Sequence, residues 1–273
     1  MKTPISPLEL VRPESFEHAL RLFAGTPSLT PIAGCTDVYV GLNFGTLKAQ
    51  SFIDLWGLPE LVGIEVVDDV LRFGGLTTHS ELVASAEVQE WLPMLAAACR
   101  EIGGVQIQNR GTLAGNIANG SPAGDTLPVL AVAEAVLVLA HQDGERRVPF
   151  NEFYTGYRAT VLRPGELIRA IEVPRVDGKQ WFRKVGTRAA QAISKIVIAG
   201  VRGPQPRIAV GSVAPTVVRL RQTETALAAG ASDDDVVAAM MAEIKPIDDI
   251  RSTAEYRKTV AANLLRRFLA ETA

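Results

Sequence analysis

The sequence predicts an α+β fold built from more than one unit, and three observations predict it. A chain of 273 residues is longer than one hydrophobic core usually fills. Its first part interleaves helix-periodic segments with short apolar strings, separated by glycine and proline turns. Beyond Pro174 the pattern changes to three strand-like strings followed by three helix-like segments, which suggests a separate small α+β domain from about residue 178.

Taken in order, S-F-E-H-A-L-R-L-F-A-G from Ser15 reads as a helix. Phe16, Leu20 and Phe23 recur at helical spacing, Ser15 can cap and Gly25 can stop it. A short strand from Thr30 leads into a tight turn at Gly34. Residues 51–55 and 70–73 read as strands about the turn residues Asp68 and Asp69. Thr78 and Glu81 have capping-box spacing, so a helix opens near Ser80 with His79 in its first turn, expected to be exposed. Residues 93–101 form a helix that buries Cys99 as a small hydrophobe. After a glycine-rich stretch, Asp125 or Ser121 caps a further helix containing Val129 and Leu130. Residues 135–140 and 146–149 are strands about Asp143-Gly144, and residues 175–180 form a turn or linker. The three later strands lie in W-F-R-K-V-G, A-I-S-K-I-V-I-A-G-V and R-I-A-V-G-S-V. The three helices cover 219–229, 233–243 and 249–269.

Composition narrows the function classes. Hydrophobic residues at 47% and charged residues at 21% describe an ordinary globular protein. A net charge of −2 supplies no general drive toward nucleic acid or anionic membrane. The opening M-K-T-P-I-S-P-L-E-L lacks the apolar core of a secretory signal. The apolar run 129–140 is broken by Glu134 and is far short of a membrane span, so a cytoplasmic location is expected. Cys35 and Cys99 are the only cysteines, too few to hold an iron–sulfur cluster by thiolates. The histidines at 18, 79 and 141 form no ligand cluster. Redox chemistry in this chain would need an organic cofactor.

The stretch from Ile102 to Asp125, I-G-G-V-Q-I-Q-N-R-G-T-L-A-G-N-I-A-N-G-S-P-A-G-D, is the richest in chemical implication. Glycines let backbone amides approach a ligand closely, and clustered N–H groups attract an anion. The residues alone fit equally a buried glycine-rich turn between two packed elements. Residues 111–125 nonetheless resemble the second FAD-binding loop of molybdenum hydroxylase flavoproteins, the family of the flavin subunits or domains of xanthine dehydrogenase and carbon monoxide dehydrogenase. T-P-I-A-G-C-T-D-V is similar to the first FAD loop, A-G-G-T-D-L, with Cys35 and, in the second loop, Ala114 where the family has glycine. Cys35 is tolerable only if that position does not require positive φ. F-Y-T-G-Y-R-A-T-V-L-R-P-G-E-L-I, K-V-G-T-R, A-I-S-K, G-S-V-A-P-T and Y-R-K-T-V-A-A-N-L-L-R-R extend the resemblance along nearly the whole chain.

The resemblance implies a two-part FAD-binding domain of the vanillyl-alcohol-oxidase/PCMH type over 1–176, divided at about 57/58. A C-terminal domain over 177–273 would follow, with a three-stranded antiparallel sheet and a helical bundle. It implies that Pro31, Ile32, Ala33, Gly34, Cys35, Thr36, Asp37 and Val38 meet the FAD pyrophosphate region. It adds Ile102, Gly111, Thr112, Leu113, Ala114, Gly115, Asn116, Ser121 and Asp125, with Asp125 accepting from hydroxyls of the sugar-alcohol chain. Ile168 would pack by the isoalloxazine, Lys184 would reach the flavin beside a variable loop, Arg188–Ile193, and His79, in the family's T-H, is a second-rank candidate near the flavin. No side chain is nominated as acid, base or nucleophile, and no metal is expected. The xanthine dehydrogenase-like branch fits G-N-I-A-N-G-S-P and A-I-S-K better than the carbon monoxide branch. The implied partners are a 2Fe–2S subunit and a large molybdenum-cofactor subunit, with NAD as electron acceptor. An independent flavoprotein oxidase or dehydrogenase, and a non-redox nucleotide-binding module, are the alternatives.

Overall fold

The computed structural model describes residue 5, residues 7–189 and residues 191–273. Residues 1–4 and 6 of the opening M-K-T-P-I-S-P-L-E-L, and Ala190 of the variable loop, therefore lie outside the described residues.

The chain begins with a parallel sheet in the order β1 (Glu9–Val11), β3 (Ser51–Asp54), β2 (Leu29–Ile32). Helix α1 (Phe16–Gly25) starts where expected, with the Ser15 hydroxyl accepting from the His18 amide at 3.1 Å. It buries Phe16, Ala19 and Leu20 against Leu29, Ile53 and Leu55. Helix α2 (Val38–Phe44) follows β2 and stops at Gly45, whose φ of 70° closes the last turn.

A five-stranded antiparallel sheet comes next, built from β4 (Ile64–Val67), β5 (Val70–Gly74), β6 (Val136–His141), β7 (Gly144–Pro149) and β10 (Leu167–Pro174). Its order is β4-β5-β10-β6-β7. Between β5 and β6 run α3 (His79–Ala84), α4 (Ala86–Trp91), α5 (Pro93–Arg100), α6 (Val105–Gln108), α7 (Leu113–Asn119) and α8 (Leu127–Val132). The expected capping box is present: Thr78 Oγ1 accepts from the Glu81 amide, and Glu81 accepts from the Thr78 amide. Every residue of α8 is buried, because this helix packs on the sheet of the following unit. Neither Asp125 nor Ser121 caps it; the N-cap is Thr126, without a side-chain bond, and Asp125 is engaged elsewhere. The Tyr-rich segment forms a hairpin of β8 (Tyr154–Gly156) and β9 (Ala159–Thr160), with the Tyr154 hydroxyl donating to the Ile117 carbonyl at the end of α7.

The last unit holds β11 (Lys179–Val185), β12 (Ile196–Arg202), β13 (Arg207–Gly211) and β14 (Val218–Arg219), antiparallel neighbours in that order. The expected three-stranded sheet thus has a fourth strand. Two residues are too short to leave a sequence signal, and Arg219, where the sequence predicts a helix start, belongs to β14 instead. Helices α9 (Arg221–Ala228), α10 (Asp233–Glu243) and α11 (Ala254–Thr272) cover one face. On β12, Ile196 and Ile198 join that helical core, while Val197, Ala199 and Val201 join the core around α5 and α8. Burial on both faces explains why the strand reads as a continuous apolar run rather than an alternation. It also means that the sheet shares a core with the residues before it.

Gly200 takes the place in β12 where a side chain would strike α11: a Cβ there would lie 2.6 Å from the Phe268 ring. Gly200→Ala is expected to destabilise the protein by about 1–3 kcal/mol through overpacking, read as a lowered urea midpoint at unchanged slope.

Candidate functional site

A cavity of about 1440 Å³ opens where the three units meet. Every residue that the sequence nominated lines it except Leu113 and Lys184. Leu113 turns its side chain fully into the core, and Lys184 lies behind Asp125.

Strand β2 delivers the first loop. Gly34 packs against the second loop so closely that a Cβ would lie 1.5 Å from the Arg110 carbonyl oxygen. Arg110 is itself stacked over Trp56, 3.7 Å from the ring centroid. Cys35 has φ 62°, so the condition under which a cysteine would be free of cost here is not met. A left-handed non-glycine residue costs about 1–2 kcal/mol. The backbone holds it there: the Cys35 carbonyl accepts from the Tyr39 amide at 3.0 Å, and its thiol donates to the Ala33 carbonyl at 3.4 Å. Among the described residues, the amides of Gly34, Cys35, Thr36 and Asp37 donate to no protein acceptor. Four consecutive unpaired donors around a left-handed residue make an anion-binding nest.

The second loop is pinned from below. Thr112 pairs with Thr78 across an isolated bridge, and the Gly111 carbonyl accepts from the His79 amide at 3.0 Å. Thr112 Oγ1 caps α7 by accepting from the Gly115 amide at 3.0 Å. Asn116 Oδ1 accepts from the Thr126 hydroxyl at 2.7 Å, which commits its oxygen and leaves its NH₂ group to donate. Ala114 sits nearly buried in the first turn of α7, on the cavity wall. His79 departs from expectation. It is 2% exposed rather than on the surface, because the bridge draws the start of α3 under Gly111. Its Nδ1 lies 3.6 Å from Cys99 Sγ, and burial holds its pKa down at about 4.

At the far end, Ile102 and Ile168 contribute apolar wall and Asp125 contributes charge. Lys184 Nζ donates to Asp125 Oδ2 at 2.6 Å and to the Glu101 carbonyl at 2.9 Å. Ser194 donates to Asp125 Oδ1. The ion pair is almost wholly shielded, with side-chain exposures of 4% for Lys184 and 8% for Asp125. Burial pushes the Asp125 carboxyl up, and the Lys184 ammonium and Ser194 hydroxyl oppose it. Sequence reasoning missed Ser194, Ser212, Arg158 and, from the stretch before and into the last helix, Lys245, Ile247, Asp249, Arg251 and Arg257, which all line the cavity. The string A-I-S-K contained Ser194, but nothing in it pointed to an aspartate 69 positions away.

Residues 6–176 match the family described as the FAD binding domain in molybdopterin dehydrogenase, and residues 182–272 match the CO dehydrogenase flavoprotein C-terminal domain. The chain belongs to this flavoprotein family. It is 33% identical to the carbon monoxide dehydrogenase medium chain of Hydrogenophaga pseudoflava, over 91% of this chain and 88% of that one. It is 30% identical to the xanthine dehydrogenase FAD-binding subunit of Escherichia coli O157:H7, over 95% of this chain and 94% of that one. The two identities are close, so these two relatives do not separate the branches. The fold matches a solved structure of carbon monoxide dehydrogenase from Hydrogenophaga pseudoflava with a TM-score of 0.91 and 28% identity, covering 98% of this chain and 96% of that one. It matches quinoline 2-oxidoreductase from Pseudomonas putida 86 with a TM-score of 0.92 at 21% identity, a likeness of fold alone.

The cavity fits the FAD of this flavoprotein family. A nest of four amides suits a pyrophosphate, and a buried aspartate with lone pairs to spare suits sugar hydroxyls.

Gly34→Ala should part the two loops, cost stability at the upper end of the ~1–3 kcal/mol of overpacking, and remove FAD binding in a titration of apoprotein. Cys35→Gly relieves strain but adds chain entropy of about 0.5–1 kcal/mol to the unfolded state, so its melting temperature should barely move. Acid should act through His79. Unfolded chain takes up a proton at His79 near pH 6.5, whereas the folded protein keeps it neutral down to about 4. Stability from this group is therefore complete above pH 6.5 and is lost as pH falls toward 4, by on the order of 3 kcal/mol. Urea midpoints measured from pH 7 to 4 should fall less steeply in His79→Gln.

Proposed function

We propose that this chain is the FAD-binding subunit of a multi-subunit molybdenum hydroxylase in the cytoplasm, through which electrons leave the complex. Its sources would be iron–sulfur clusters of a 2Fe–2S partner subunit, and its acceptor NAD. The organic substrate would be oxidised on a large molybdenum-cofactor subunit. Residues 1–176, in two parts divided near 57/58, would form the FAD-binding domain, and residues 177–273 the C-terminal domain.

The observation that carries the reading is that the unpaired amides belong to Gly34–Asp37, which line the same cavity as Asp125, the carboxylate of the buried pair with Lys184. When bound, FAD supplies an exchange between one-electron donors and a two-electron acceptor. The protein's part is binding, orientation and electrostatics. The nest would hold the pyrophosphate, and the Asn116 NH₂ and Asp125 carboxylate would take the hydroxyl chain. Ile102 and Ile168 would exclude water from the ring. Lys184, a fixed positive charge behind Asp125, would favour a reduced, anionic ring without touching it. Two cysteines, one of them fully buried in α5, leave any cluster to a partner. A cavity above the ~300–1,000 Å³ of ordinary ligand sites supports room for an acceptor beside the cofactor. Among the described residues no helix is long and apolar enough to cross a membrane.

The test uses the purified chain and its complex. The chain should carry one FAD that acid precipitation releases, and NADH should bleach it. The chain alone should oxidise neither purines nor aldehydes, and pull-down should bring a smaller cysteine-rich chain and a much larger one. Flavin retained in the acid pellet would overturn noncovalent binding, and FMN would overturn the loop assignment. Substrate turnover by the isolated chain would identify an independent flavoenzyme instead.

A further inference from the structure

Three strands of the C-terminal sheet end against one short piece of the second loop, Pro122–Asp125. Lys184 lies near the end of β11 and donates to Asp125 Oδ2. Ser194 lies just before β12 and donates to Asp125 Oδ1. Ser212 lies just after β13, and its amide donates to the Pro122 carbonyl at 2.8 Å. The Ser212 hydroxyl donates to the Ser194 carbonyl at 3.0 Å, and its own carbonyl accepts from buried Arg257 at 2.7 Å. Ser212 adopts φ 66°, a left-handed conformation that a serine takes at a cost. That backbone turn brings its amide and hydroxyl onto two different segments at once.

We infer that Ser194 and Ser212 are positioning residues for FAD: they fix the Asp125 carboxylate so that its free lone pairs face the cavity. The inference rests on the FAD-binding reading above. A carboxylate has about four lone-pair directions. Lys184 takes one and Ser194 another, on different oxygens, so the plane of the carboxylate cannot rotate. Without Ser194 one oxygen is tethered to nothing, and the carboxylate turns toward Lys184. Ser212 acts one step further back, by holding the Ser194 backbone at the distance its hydroxyl needs.

The experiment titrates apoprotein with FAD by fluorescence quenching and melts the same apoproteins. Ser194→Ala should weaken FAD binding about tenfold, the scale of a hydrogen bond to a charged group. In an Asp125→Ala background the same substitution should add almost nothing, because the group it positions is gone. Ser212→Gly keeps the amide and suits the left-handed turn, so apoprotein should melt no lower while FAD binding weakens severalfold. That combination separates positioning from misfolding. If Ser194→Ala costs the same factor with and without Asp125, Ser194 meets the cofactor itself and the inference fails. Unchanged affinity in Ser194→Ala or Ser212→Gly also overturns it. Failure of the unaltered apoprotein to bind FAD would instead sink the FAD reading on which it stands.

Discussion

A carboxylate and an ammonium buried together hold this molecule's working parts in register. Asp125 belongs to the glycine-rich loop and Lys184 to the C-terminal sheet, and their contact at 2.6 Å joins them across 59 positions of sequence. Such a pair contributes little net stability, because desolvation of two charges offsets their attraction. Removing one partner is costly, about 3–5 kcal/mol, because it strands the other charge. The pair is better understood as a device for alignment. The observed docking of loop on sheet satisfies Lys184, Ser194 and the Glu101 carbonyl together.

The second constraint is steric. Two loops distant in sequence meet backbone to backbone at Gly34 and Arg110, where no side chain has room. This contact sets the first loop directly against the second, with Gly34 to Asp37 on the cavity wall and their amides bonded to no protein acceptor among the described residues. Cys35 shows how much of the site is backbone. A residue of the wrong type occupies a left-handed position, and the loop keeps its geometry because Ala33 and Tyr39 anchor both sides of it.

Packing then decides how independent the units are. The C-terminal sheet is covered by α9–α11 on one face and by α5 and α8 on the other, so the cavity's far wall is supported by a core that spans the chain. A wall supported in this way can hold Ser194 and Ser212 to within the tolerance of a hydrogen bond. A flexible linker between separate domains would not.

Local chemistry was legible in the sequence. Ser15 and the Thr78–Glu81 box announced their helices, and β12 was visible as an apolar string. The loop strings around Gly34 and Gly111–Asp125 identified the family and two stretches of the cavity wall, because a short run of residues specifies a short run of backbone. What lay beyond reach depends on contacts between distant segments. His79 looked like an exposed first-turn residue until its bridge to the second loop buried it. Asp125 could be read as a helix cap as well as a cofactor residue, and its bonds to Lys184 and Ser194, one on each oxygen, remove the cap. The positive φ of Cys35, the two-residue strand β14 and the partnership of Ser194 with Asp125 follow from how the units dock. Periodicity and capping are properties of neighbours in the chain. Burial, ion pairing and register between units are properties of neighbours in space, and only the tertiary structure decided them.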